Sequence, residues 1–124
     1  MAIERVRLRR SPKSDKKWRV TFENGKTVDF GARSYSDYTF HKNPARMRSY
    51  VGRHGGVIPK ALFNEMNPAS IQKKMLRVRT SIKEKWGSAG IRTPGFWSRW
   101  LTWSFPTVAE AKKFIEKTYG VQFL

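Results

Sequence analysis

The chain contains no cysteine. That absence excludes disulfides, thiol catalysis and every cysteine-based zinc site, and it leaves the cellular compartment open. Acidic residues are scarce: nine Asp and Glu stand against 26 Lys and Arg, a formal charge of +17. They are scattered along the chain, and no two sit at a metal-ligand spacing. His41 and His54 are the only histidines. A nuclease centre built from that pair with Asn43 or Asp37 would lack the surrounding carboxylates such centres use. Neither a phosphate-binding glycine loop nor a Gly-x-Ser-x-Gly motif is present. The expectation is a protein that is not an enzyme and uses no cofactor or metal. Long apolar runs are missing as well. MAIERVRLRR holds no stretch of signal-peptide length, and no segment approaches a membrane span. A soluble, non-secreted protein with no membrane partner is expected.

What is present begins with the charge. At 124 residues the chain suits one domain, able to bury roughly two-thirds of its unfolded surface. A globular domain with so large a cationic excess repels itself, so the charge suits a polyanion. Nucleic acid leads, double-stranded DNA first. An anionic membrane surface or an acidic protein follows, and surface lysine kept for solubility is the bland alternative.

Strand signals fill the first third. Val6 and Leu8 alternate with Arg5, Arg7 and Arg9. In KWRVTFENGKTVDFG, Trp18, Val20 and Phe22 alternate with polar residues, as do Val28 and Phe30 after the turn. A two-residue Asn24-Gly25 turn would oppose Val20 to Asp29 and split the apolar faces. A three-residue loop, Glu23-Asn24-Gly25 with Gly25 left-handed, pairs Val20 with Val28 and Trp18 with Phe30, and is preferred. Residues 11–17 read as a polar loop. Helices follow, with Asn43-Pro44, Asn67-Pro68 and Thr93-Pro94 each offering an N-cap and a proline at the first helical position. The first ends at Gly55-Gly56 and carries Met47, Tyr50, Val51 and His54 on one stripe. The second is expected over about 68–86, with Ile71, Met75, Val78, Ile82 and Trp86. The last opens on a Thr107/Glu110 capping box and stops at Gly120. VQFL is an apolar tail that could add a closing strand. The predicted architecture is α+β: a three- or four-stranded antiparallel meander packed against three or four helices, one domain over 1–124, mainly meander to 42 and mainly helical from 43.

GFWSRWLTW, residues 95 to 103, concentrates the aromatic material. A helix starting at Pro94 would put Trp97, Trp100 and Leu101 on one side, with Arg99 and Thr102 outside the arc. An apolar arc that wide is normally buried against more than one neighbour, so the rings are read as core rather than as a platform for bases. The cations, by contrast, make faces. Arg5, Arg7 and Arg9 share a strand face with Lys17 and Arg19; Arg46, Arg48 and Arg53 lie off the stripe of the first helix; Lys73, Lys74, Arg77 and Arg79 do so on the second. Phosphate contacts of this kind give affinity without sequence choice, and six to ten of them make binding fall about 10³- to 10⁵-fold between 50 and 200 mM salt. SYSDYTFHKN, residues 34 to 43, is either a polar staple at the sheet–helix junction or a contact site. Tyr35, Tyr38, His41 and, further on, Arg99 are its candidates for touching a partner.

Three strings taken together, GKTVDFGARSYSDYTFHKN, RSYVGRH and AGIRTPGFWSRWLTWSFPT, carry a likeness. The chain resembles a family of short basic proteins of unknown function encoded by large double-stranded DNA viruses of algae and amoebae, the chlorella-virus and marseillevirus kind. The likeness covers about residues 18–54 and 86–107, and Gly-Phe-Trp-Ser-Arg-Trp with a following Pro-Thr is its most specific part. Residues 57–85 look longer than the usual connection. The resemblance implies no activity and no catalytic residues. It implies a viral origin, the infected-cell cytoplasm or the virion as location, and a role in the virion; acidic viral or capsid proteins are expected besides as further partners. Two functions are therefore expected as alternatives. One is sequence-blind nucleic-acid binding that organises or compacts a genome. The other is docking on an acidic partner or inner capsid surface through aromatics near Trp97 to Trp103.

Overall fold

The computed structural model describes residues 4–124. Four strands, β1 (Glu4–Arg10), β2 (Lys16–Phe22), β3 (Thr27–Ala32) and β4 (Val121–Phe123), form one sheet in the order β3-β2-β1-β4. Five α-helices accompany it: α1 (Tyr38–His41), α2 (Pro44–Arg53), α3 (Pro68–Met75), α4 (Pro94–Trp97) and α5 (Val108–Tyr119). The expected α+β class holds, with two corrections. The helices number five because the polar junction forms a single turn, α1, of its own. The sheet is mixed and not wholly antiparallel, since β4 runs parallel to β1, pairing Val6 with Phe123. Gly120, left-handed at φ 67°, ends α5 and turns the chain straight into that strand.

The β2–β3 hairpin has the register that the apolar faces require. Val20 pairs with Val28 and Trp18 with Phe30, around a loop in which Gly25 sits at φ 87°. Val6, Val20, Phe22, Val28 and Phe30 all turn to one side and are buried. Against that side lies the tryptophan-rich segment. It begins as α4 and continues from Ser98 to Thr102 as a π-helical turn, closed by the Trp103 amide donating to the Ser98 carbonyl at 3.1 Å. Trp97 meets Phe22, Phe30, Phe96 and Phe123 at centroid separations of 5.1 to 6.5 Å. Trp100 lies 5.0 Å from Phe114 of α5. The indole N–H groups of the three fully buried tryptophans are spoken for: Trp97 donates to the Ile91 carbonyl, Trp100 to the Trp86 carbonyl and Trp86 to the Glu84 carboxylate. The rings are core, as expected. Trp18 and Trp103 are the two that stay partly open.

The predicted burial arc was too narrow. Arg99 and Thr102 are buried along with their neighbours: α5 packs on the π-helical turn, and Arg99 reaches the end of α3 and the Trp86 ring. The long second helix is also corrected: α3 stops at Met75. Arg99 donates to the carbonyls of Met75 and Val78 at 2.8 and 3.2 Å, so the helix end is satisfied by a side chain where another turn would have done it. The chain beyond runs extended past Gly56, with Val57 N–H to Thr80 O and Ile82 N–H to Gly55 O at 3.0 and 2.9 Å. A side chain at Gly56 would meet Val51 Cγ1 at 2.3 Å, so only glycine permits that approach. Ile82, assigned to the apolar stripe, is instead 82% exposed.

Candidate nucleic-acid interface

The predicted cations separate into those that are free to meet a ligand and those that the protein uses itself. Arg5, Arg7 and Arg9 belong to the first kind. They alternate along β1, a central strand, and are exposed on the face turned away from the helices. Among the described residues none of the three has a carboxylate partner. Arg9 stands opposite Arg19 in the register. Arg19, however, is held by Asp29, Nε to Oδ1 at 2.9 Å and Nη2 to Oδ2 at 3.1 Å. Those hydrogen bonds, helped by one from the Ser11 hydroxyl, pull the Asp29 carboxyl down to about 2. Lys17 is removed more completely. It is buried, with Nζ 2.7 Å from Asp37 Oδ2, and cannot reach a phosphate on the outer face. The few acids are thus spent on particular cations, which is why Lys17 and Arg19 drop out of the proposed contact set.

On α2, Arg46 and Arg53 are exposed. Arg48 is half-buried and donates to the carbonyls of Leu62 and Glu65, both at 2.8 Å; it fastens the 57–66 segment. Lys73 and Lys74 are exposed on α3, Lys74 pairing loosely with Glu65 at 3.4 Å. Arg77 and Arg79 are exposed but lie beyond the helix, and Arg79 covers the Phe114 ring at 5.3 Å. Of the twelve, Lys17, Arg19 and Arg48 are held by partners inside the protein, and the other nine are exposed.

The candidate partner contacts divide just as sharply. Tyr35 is 73% exposed, whereas Tyr38 is buried and Arg99 wholly so; neither can touch a partner. His41 is half-buried beside Trp103, its Nδ1 accepting from the Asn43 amide at 3.0 Å. Burial, reinforced by Arg46, lowers its pKa. Asp37 caps α1 by accepting from the Thr39 amide at 2.9 Å, so residues 34–43 act largely as the polar staple. His54, on the α2 stripe, stacks on Tyr50 at 4.2 Å and meets Glu84 Oε2 at 3.1 Å. Among the described residues no three of His, Asp and Glu gather to hold a metal ion.

One feature escaped the sequence reading. Between α2 and the β3 edge lies a hollow of about 580 Å³, lined by Lys16, Lys17, Arg46, Arg53, Tyr35 and Trp103 among others. Four cations face it against a single carboxylate, that of Asp37. On the helical side, Arg46, Tyr50 and Arg53 at i, i+4 and i+7 share one face of α2, although the sequence reading set Tyr50 on the apolar stripe and the two arginines off it. The strand side was not legible, because nothing in the chain order brings Lys16 and Tyr35 to that helix.

Residues 6–54 match a family described as one of unknown function, DUF5754. No curated protein and no solved structure matches the chain. Twelve of the sixteen residues lining the hollow fall inside the matched segment; Pro94, Ser98, Thr102 and Trp103 complete it from outside.

Proposed function

We propose that this protein is a non-enzymatic nucleic-acid-binding protein that grips phosphates without reading sequence and organises or compacts a genome, double-stranded DNA first. The observation that carries the reading is the row of Arg5, Arg7 and Arg9, exposed on a central strand and none of them in an ion pair among the described residues. Alternate strand residues stand about 6.6 Å apart, so the three guanidiniums form a cationic ridge that a phosphate backbone can follow. A second set of exposed cations, Arg46, Arg53, Lys73 and Lys74, stands on α2 and α3, and a second segment of nucleic acid held there is what compaction requires. The likeness to short basic proteins of large DNA viruses supports a virion or viral-factory setting. Docking on an acidic partner is the second reading. Of its expected platform, the aromatics near Trp97 to Trp103, the rings of Trp97 and Trp100 are buried and Trp103 stays partly open; exposed apolar side chains elsewhere include Phe40, Val57, Phe63, Met66 and Ile82.

The test is fluorescence anisotropy with labelled duplex DNA of two unrelated sequences, between about 50 and 200 mM salt. The expected result is equal affinity for both sequences and a steep loss with salt. Replacing Arg5, Arg7 and Arg9 together by Gln should flatten the log–log salt slope by about 2.7, at roughly 0.9 per phosphate contact, while moving the melting temperature little. Absence of binding at the lowest salt would overturn the reading and leave the acidic-partner alternative.

A further inference from the structure

We propose that the hollow between α2 and the β3 edge is a nucleotide site, taking a phosphorylated nucleoside with its phosphate at Arg46 and Arg53 and its base against Tyr35. The choice of a nucleotide over other phosphorylated ligands rests on the nucleic-acid reading above; the site itself rests on its own geometry. At about 580 Å³ the space falls within the range of pockets that enclose small ligands, about 300 to 1,000 Å³. Its walls combine the two features a nucleotide needs, a cationic edge and flat rings.

The cationic edge is the α2 face. Arg46 and Arg53 are seven residues apart, roughly 10.5 Å along the helix axis, and both are exposed with no carboxylate partner among the described residues. Two flexible side chains at that separation can close on one phosphate from either side, and a guanidinium fork matches phosphate oxygens. Lys16 faces them from the start of β2. The lone carboxylate does not oppose an anion: Asp37 is buried, engaged by Lys17 at 2.7 Å and by the Thr39 amide at 2.9 Å. The ring is Tyr35, which stands 73% exposed at the mouth. An exposed tyrosine beside cations is the arrangement on which unpaired bases stack in proteins that bind single strands. Trp103, one face covered by Tyr50 at 4.5 Å with the planes 5° apart, closes the hollow with apolar surface. The stacked pair continues to His54, so that wall is held in place by packing.

The same chemistry has two sources, a free nucleotide or the phosphorylated end of an unpaired strand. Calorimetric titration of the full chain with adenosine 5′-monophosphate, adenosine and inorganic phosphate tests the site. The nucleotide should bind, with adenosine and phosphate each about tenfold weaker or more. Replacing Arg46 and Arg53 together by Gln should weaken nucleotide binding about tenfold or more without shifting the melting temperature. Tyr35→Ala should bring the nucleotide down towards phosphate alone. The Arg5, Arg7 and Arg9 triple variant should bind the nucleotide like wild type. Nucleotide affinity no better than that of phosphate, or unchanged in the Arg46/Arg53 variant, overturns the proposal. A duplex with a 5′-phosphorylated single-stranded overhang then separates the sources. Preference for it over blunt duplex, lost in the Arg46/Arg53 variant, assigns the strand end; nucleotide binding without that preference assigns the free nucleotide. Nucleotide binding with no duplex binding at low salt leaves the site standing and removes the genome-organising function.

Discussion

Replacing Arg99 by Met asks what holds the middle of the molecule together. Arg99 is completely buried, and its guanidinium lies 4.6 Å from the Trp100 ring and 5.4 Å from that of Trp86. Burial lowers its pKa to about 10, still far above neutrality, so the group stays charged at pH 7. No carboxylate is among its hydrogen-bond partners. Backbone carbonyls balance the charge in its place, those of Met75, Val78 and Trp103, together with the Ser104 hydroxyl. The Met75 carbonyl also accepts from the Val78 amide, but those of Val78 and Trp103 have no second partner among the described hydrogen bonds. Methionine keeps most of the volume and leaves those two oxygens unpaired, at about 1 to 3 kcal/mol each. The lost contact with two indole faces adds about 1 to 2 kcal/mol. Relief of the guanidinium's own desolvation opposes both. The net expectation is a loss of about 3 kcal/mol. For a domain of this size that corresponds to a melting temperature roughly 10 °C lower. Urea unfolding followed by tryptophan fluorescence measures it, and amide exchange should show the end of α3 loosening first. An Arg99→Met protein as stable as wild type would refute the reasoning, because the cation would then be merely tolerated in the core.

Trp100→Ala should cost about 3 to 5 kcal/mol, the usual loss for a fully buried aromatic, and the half-open Trp103→Ala clearly less; equal losses in denaturant titrations would contradict the burial described. Ile82→Lys should change stability by less than about 0.5 kcal/mol, whereas Met75→Ala should lose about 2 to 5 kcal/mol; a large effect at Ile82 would restore the long helix. Asp29 has a folded-state pKa of about 2 against an ordinary 3.8, so its contribution is complete above about pH 4 and disappears as the pH falls towards 2. Asp29→Asn should therefore flatten the acid limb of the stability curve in that window, and an unchanged limb would show that the Arg19 pair does not stabilise the fold.

Much of the fold was legible because its signals are local. Alternation in β1 to β3 needs only the identity of neighbouring residues, and the hairpin register follows from keeping apolar residues on one face. Asn43, Asn67 and Thr107 cap helices with their own side chains, accepting from amides two or three residues ahead. The limits of helix α3 were not legible, because the residue that ends it is Arg99, 24 positions away from Met75. Parallel pairing of β4 was hidden for the same reason, its partner lying at the other end of the chain.

Composition and pattern alone determined that this would be a basic α+β domain with a tryptophan-rich core and a strand of outward arginines. Periodicity, capping and hydrophobic burial act over a few residues, and they point the same way wherever the chain goes. Only the tertiary structure decided which cations remain available. Asp29 neutralises Arg19 from the neighbouring strand, Asp37 at the start of α1 neutralises Lys17, and Arg99 is drawn into the core. Arg46 and Arg53 meet Lys16 and Tyr35 around a hollow. Charge pairing depends on distance in space, which the order of residues does not contain.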